Sequence, residues 1–115
     1  MDKLLNYFKL LSDETRLRIM VLLYHGEFCV CQLTGITDIS QPNISKHLSR
    51  LRYMGLVKDE KKEQYTFYSL NLEDKLFADI LKKIVENIDN YPVLKLDLEK
   101  SKAAAKYIEL QNICK

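Results

Sequence analysis

The stretch Ser40 to Val57, SQPNISKHLSRLRYMGLV, constrains the fold more than any other part of the chain, because it encodes one short helix with both of its ends. Ser40 is a natural N-cap, Pro42 falls in the first turn where a missing N–H is harmless, and Gly55 supplies a left-handed stop. Between them Ile44, Leu48 and Leu51 recur at i, i+4 and i+7, the period of a single buried stripe. Gln41, Pro42, Ser45, Lys46, Ser49 and Arg50 then point outward, with Asn43 and His47 toward the edges of that face. It offers hydrogen-bonding groups, two cations and no carboxylate, which suits base edges flanked by phosphates. An ordinary solvated face is the competing reading of such a pattern, so the neighbouring elements decide.

Upstream, Asp13 to Tyr24 reads as a scaffold helix with Leu17, Met20, Val21 and Tyr24 on its inner side. A shorter helix follows from about Cys29 to Thr34, and Gly35 to Ile39 makes a brief connection to Ser40. Two short helices joined in this way match a helix-turn-helix. Downstream, Leu56 to Glu60 and Tyr65 to Leu70 carry strand-forming residues around the charged Lys61-Lys62-Glu63-Gln64, a hairpin with a polar tip. The expected fold is mainly α with a small β-hairpin, a winged helix-turn-helix.

The blocks LSDETRLRIMVLL, GEFCVCQLTGI, SQPNISKHLSRLRYMGLV and YTFYSL, in this order, resemble the ArsR/SmtB family of winged-helix transcriptional repressors that leave DNA on binding metal or metalloid ions. The resemblance covers most of the chain. It implies that Gln41, Pro42, Ser45 and Lys46 meet the major groove, in agreement with the face derived from periodicity. His47 matches the family's histidine at this position, and a packing or backbone-bonded imidazole is an equal alternative to a base contact.

A net charge of only +2 requires a DNA-binding chain to concentrate its cations, and the run Lys46, Arg50, Arg52, Lys58, Lys61, Lys62 does so. At 115 residues the chain makes one small core, with residues 1–90 expected to form the DNA-binding and dimerisation domain and 91–115 a C-terminal helical arm or tail. Pro92 should break the helix before that arm. Leu4, Leu5, Phe8 and Leu11 near the N-terminus, and Leu76, Phe77, Ile80, Leu81, Ile84, Val85 and Ile88 later, form apolar bands too wide for one contact. A two-fold mate is the simplest cover. Such a helical dimer interface would set two reading helices about 34 Å apart, matching a palindromic double-stranded operator. No membrane-spanning run or secretory leader is evident, so a cytoplasmic location without membrane contact is expected.

Three cysteines, Cys29, Cys31 and Cys114, bear on the effector. An odd number disfavours a disulfide framework, and a lone C-x-C would by itself read as two buried hydrophobe-like side chains. The family resemblance changes that reading, implying a thiolate site for arsenite or antimonite, with cadmium or lead as further candidates. DNA binding itself calls for no cofactor. The family's arsenic site has a further cysteine where this chain has Thr34, and Cys114 is a candidate third donor if the arm folds back. On a regular helix residues 29 and 31 lie about 200° apart, so one ion could join their sulfurs only by distorting the first turn. A helix N-terminus also favours thiolates. Thiol oxidation, or an organic ligand in place of a metal, is the rival trigger. An enzyme is not expected, since His25 and His47 have no visible catalytic partners, and a helical interaction module would leave the polar face of the reading helix without a purpose.

Overall fold

A computed structural model describes residues 1–104 and gives the order α1 (Asp2–Leu11), α2 (Glu14–Tyr24), β1 (Phe28–Cys29), α3 (Val30–Thr37), α4 (Gln41–Tyr53), β2 (Val57–Lys62), β3 (Tyr65–Leu70), α5 (Lys75–Glu86), a 3-10 turn (Ile88–Asn90) and α6 (Pro92–Ser101). Helices enclose one core, and a three-stranded antiparallel sheet flanks it in the order β1-β3-β2.

Helix α2 is the hub. Asp13 caps it by accepting from Arg16 N–H at 3.0 Å, and the five residues from Ile19 to Leu23 are all buried. A single inner stripe of Leu17, Met20, Val21 and Tyr24 is therefore corrected: α1, α4, α5, α6 and β3 surround α2, while Tyr24 lies at the surface. Helix α1 turns Tyr7 and Leu10 inward, and the Tyr7 ring stacks on Phe77 of α5 at 4.5 Å between centroids. Asp74 begins α5 by accepting from Phe77 N–H at 3.1 Å, and also pairs with Lys3 of α1 at 3.2 Å.

Both ends of α4 lie near the positions expected from the sequence. Ser40 occupies the N-cap position with extended backbone but makes no capping bond through its hydroxyl. At the far end Gly55 has φ 79°, Leu56 N–H donates to Leu51 C=O and Gly55 N–H to Arg52 C=O, so the left-handed residue turns the chain from helix into wing. Ile44, Leu48 and Leu51 fill the core as the period required.

The hairpin pairs Val57 with Leu70 through Lys62 with Tyr65, leaving a two-residue turn in which Glu63 has φ 59°. Lys61 and Lys62 therefore stand in β2 rather than at the tip. The sequence reading also lacked a strand: Phe28 and Cys29 pair with Tyr68 and Phe67, tying the segment before α3 to the wing. Helix α3 begins after Cys29 and runs past Thr34 to Thr37, ending at a left-handed Asp38. Pro92 starts α6, which sets Leu94 and Asp97 against α2 and α3.

Candidate functional site

With the stripe of α4 buried, Pro42, Asn43, Lys46, Ser49 and Arg50 are exposed and Gln41 and Ser45 half-exposed. They form one continuous surface on a helix without a single carboxylate. Gln41 and Ser45 are four residues apart, hence on one line along the axis, with Lys46 and Arg50 on the next. Arg52 is drawn aside by Asp59 of the wing at 3.6 Å.

His47 does not belong to this surface. It is 8% exposed, its Nδ1 is buried without a hydrogen-bond partner, and it packs on the core side of α4. Burial pushes its pKa below 6.5; Asp13 opposes that shift and Arg16, Lys46 and Arg50 reinforce it. The expected place at the edge of the reading face is thus corrected, because the inner arc of α4 is wide enough to take His47 in beside Leu48 and Leu51.

The two wing lysines part company. Successive side chains of a strand point to opposite faces, so Lys61 and Lys62 leave opposite sides of the wing. Both are exposed, but Lys62 is ion-paired with Glu27 and sits 5.7 Å from the centre of the Phe67 ring. Glu27 was not a sequence candidate, and nothing local marks it, since its partner is 35 residues away.

Cys29 and Cys31 are 0% and 1% exposed. Cys29 is the N-cap of α3 with extended backbone (φ −90°, ψ 170°), and it closes a reciprocal capping box with Gln32: its side chain faces Gln32 N–H while its own N–H donates to Gln32 Oε1 at 3.0 Å. The expected 200° separation on a helix is corrected accordingly, because Cys29 stands outside the helix and its side-chain direction is set by β1. Thr34 lies one turn after Cys31 with its Oγ1 buried and without a hydrogen-bond partner. Two soft donors two residues apart suit a thiophilic ion. Among the described residues no group of three His, Cys, Asp or Glu side chains surrounds a possible metal position, and Cys114 lies outside the described residues.

A family model described as "Bacterial regulatory protein, arsR family" matches residues 13–59, from the cap of α2 into the wing. The transcriptional repressor SdpR of Bacillus subtilis is 39% identical over 66 residues, covering 57% of this chain and 73% of that protein. The chain belongs to the arsR family. The arsenic resistance transcriptional regulator ArsR1 of Pseudomonas putida is 43% identical to this arsR-family chain over 81 residues, which is 69% of the chain and 63% of that regulator's length. Among solved structures, the transcriptional repressor BigR from Xylella fastidiosa superposes with a TM-score of 0.65 at 30% identity, covering 72% of this chain and 83% of that one. The winged helix-turn-helix expected from the sequence is therefore the fold of this arsR-family chain, and its relatives are regulators rather than enzymes. No helix among the described residues is long and apolar enough to cross a membrane.

Proposed function

We propose that the protein is a homodimeric repressor that binds a palindromic operator through α4 and leaves it when a thiophilic metalloid, arsenite foremost, is held by Cys29 and Cys31. Antimonite fits the same donors, followed by cadmium and lead. The observation that carries the reading is the position of the two thiols at the junction of β1 and α3. One side of that junction pairs with β3 of the wing and the other packs, through α3, on the reading helix. Both sulfurs are buried, so an ion can reach them only by opening the junction. A DNA-bound dimer resists that opening, and an ion-bound one has undergone it, which is the difference in affinity between two states that a ligand-controlled release requires.

In the operator complex, Gln41, Asn43, Ser45 and Ser49 face base edges, Pro42 lies against the groove, and Lys46, Arg50 and Lys61 meet phosphates. The dimer is supported by apolar side chains left at the surface of α1 and α5, Leu5, Phe8 and Leu76, each about half exposed. As a regulator of DNA it acts in the cytoplasm, without membrane contact.

The test is fluorescence anisotropy with DNA from upstream of the protein's own coding sequence and with random DNA of the same length, over a series of salt concentrations. Lys46→Ala should weaken both and lower the salt slope by about one per reading helix. Gln41→Ala should reduce preference for the upstream DNA and leave the slope alone. Equal losses on both DNAs for both variants would refute α4 as the reading element.

A further inference from the structure

The corner between α3 and α4 is held from outside by a helix beyond the wing. Helix α3 ends with Asp38 in the left-handed region, its N–H on Thr34 C=O at 2.8 Å. Thr37 Oγ1 donates to Leu33 C=O at 2.7 Å and accepts from Ile39 N–H at 3.2 Å. The carbonyl of Thr37 has no partner within the helix, as is usual in a last turn. Arg18 of α2 supplies one, Nη2 donating to it at 3.1 Å. The same guanidinium is gripped by Asp97 of α6, Nε to Oδ2 and Nη2 to Oδ1, both at 2.8 Å. Asp97 is 2% exposed, and Lys100, one turn on, stands 3.6 Å from Asp38.

We infer that Asp97 is a positioning residue for DNA recognition: by orienting Arg18 it fixes the Thr37 carbonyl, and with it the direction in which the chain leaves α3 to begin α4. The inference rests on the reading of α4 as the DNA-reading helix. A two-pronged guanidinium–carboxylate pair has one geometry, whereas an apolar contact in its place could slide. Buried ion pairs are poor sources of net stability compared with apolar side chains of similar volume, so what this pair contributes is orientation. Helix α6 is thereby part of the reading apparatus although no DNA reaches it.

The experiment uses the full chain and three variants, Asp97→Asn, Arg18→Lys and the double apolar replacement Arg18→Met with Asp97→Leu. Two quantities are read: amide chemical shifts of Asp38, Ile39 and Ser40 without DNA, and the ratio of affinities for upstream and random DNA. Each variant should shift those amides and lower the ratio about tenfold, the size of one lost base contact. Random-DNA affinity should stay within about twofold, because the phosphate-facing lysines are untouched. The double replacement separates orientation from folding: it should melt as high as the unaltered protein and still discriminate poorly. A double variant with unchanged corner amides and full discrimination would overturn the inference. Failure of the unaltered protein to prefer upstream DNA would instead remove the reading on which it rests, and the corner amides would still decide whether the brace exists.

Discussion

Replacing the two thiols by serine should have unequal consequences for stability. Cys29 is an N-cap in extended backbone, with its side chain facing Gln32 N–H. Serine is among the best residues for that position, and a good cap contributes about 0.5–2 kcal/mol. Against it stands the cost of burying a hydroxyl whose hydrogen needs an acceptor, about 1–3 kcal/mol if none is found. The two nearly offset, so Cys29→Ser should change stability by no more than about 1 kcal/mol, or some 3–6 °C in Tm for a domain of this size. Cys31 lies in the first turn of α3 at 1% exposure and is not its N-cap, so serine there places a more polar group in a buried position without the gain of an improved cap. Cys31→Ser should lose about 1–3 kcal/mol and melt lower by about 5–15 °C. Thermal melts followed by circular dichroism, in reducing metal-free buffer, measure both. A larger loss for Cys29→Ser than for Cys31→Ser would refute the capping argument.

Gly55→Ala tests the helix-to-wing turn: with φ 79° and nothing within 4 Å of an added Cβ, the cost is conformational alone, about 1 kcal/mol by denaturant unfolding, with random-DNA affinity unchanged. A much larger loss would mean a clash that the turn does not contain. His47 makes stability pH-dependent. Its folded pKa is depressed, so the unfolded chain takes up the proton first; the contribution is complete above about pH 6.5 and is lost as pH falls below it. The urea midpoint should drop between pH 7.5 and 5.5, and drop less in His47→Gln; equal drops would exclude His47 as the source. Glu27→Gln releases Lys62 from its ion pair while leaving the melting temperature nearly unchanged, and DNA binding at low salt should tighten severalfold with a steeper salt slope. Unaltered binding would show that Lys62 does not reach phosphate even when released.

What the sequence made legible was local. The reading helix could be drawn from Ser40, Pro42, Ile44, Leu48, Leu51 and Gly55 because cap, period and stop all lie within 18 residues, and the hairpin from two strand-forming runs around a charged turn. Partners distant along the chain were invisible. Phe28 and Cys29 form too short a strand to show alternation, and only pairing with Phe67 and Tyr68 makes them one. Arg18 and Asp97 are 79 residues apart, and no composition signal connects them. Helix α2 misled because five consecutive residues, Ile19 to Leu23, are buried, a state in which no single stripe exists. His47 misled because a polar residue at the edge of an amphipathic arc can be covered by packing. At the thiols, the spacing of Cys29 and Cys31 was legible, whereas the extended backbone that takes Cys29 out of the helix depends on the sheet.

The central claim, release of DNA by an ion at the Cys29–Cys31 junction, is tested most directly by titrating arsenite into the complex with upstream DNA under reducing conditions and following anisotropy. Release from the unaltered protein at near-stoichiometric arsenite, with Cys29→Ser bound equally well at the start and unmoved by arsenite, is the predicted result. A complex that stays bound through excess arsenite, or a Cys29→Ser variant released as readily as the unaltered protein, would contradict it.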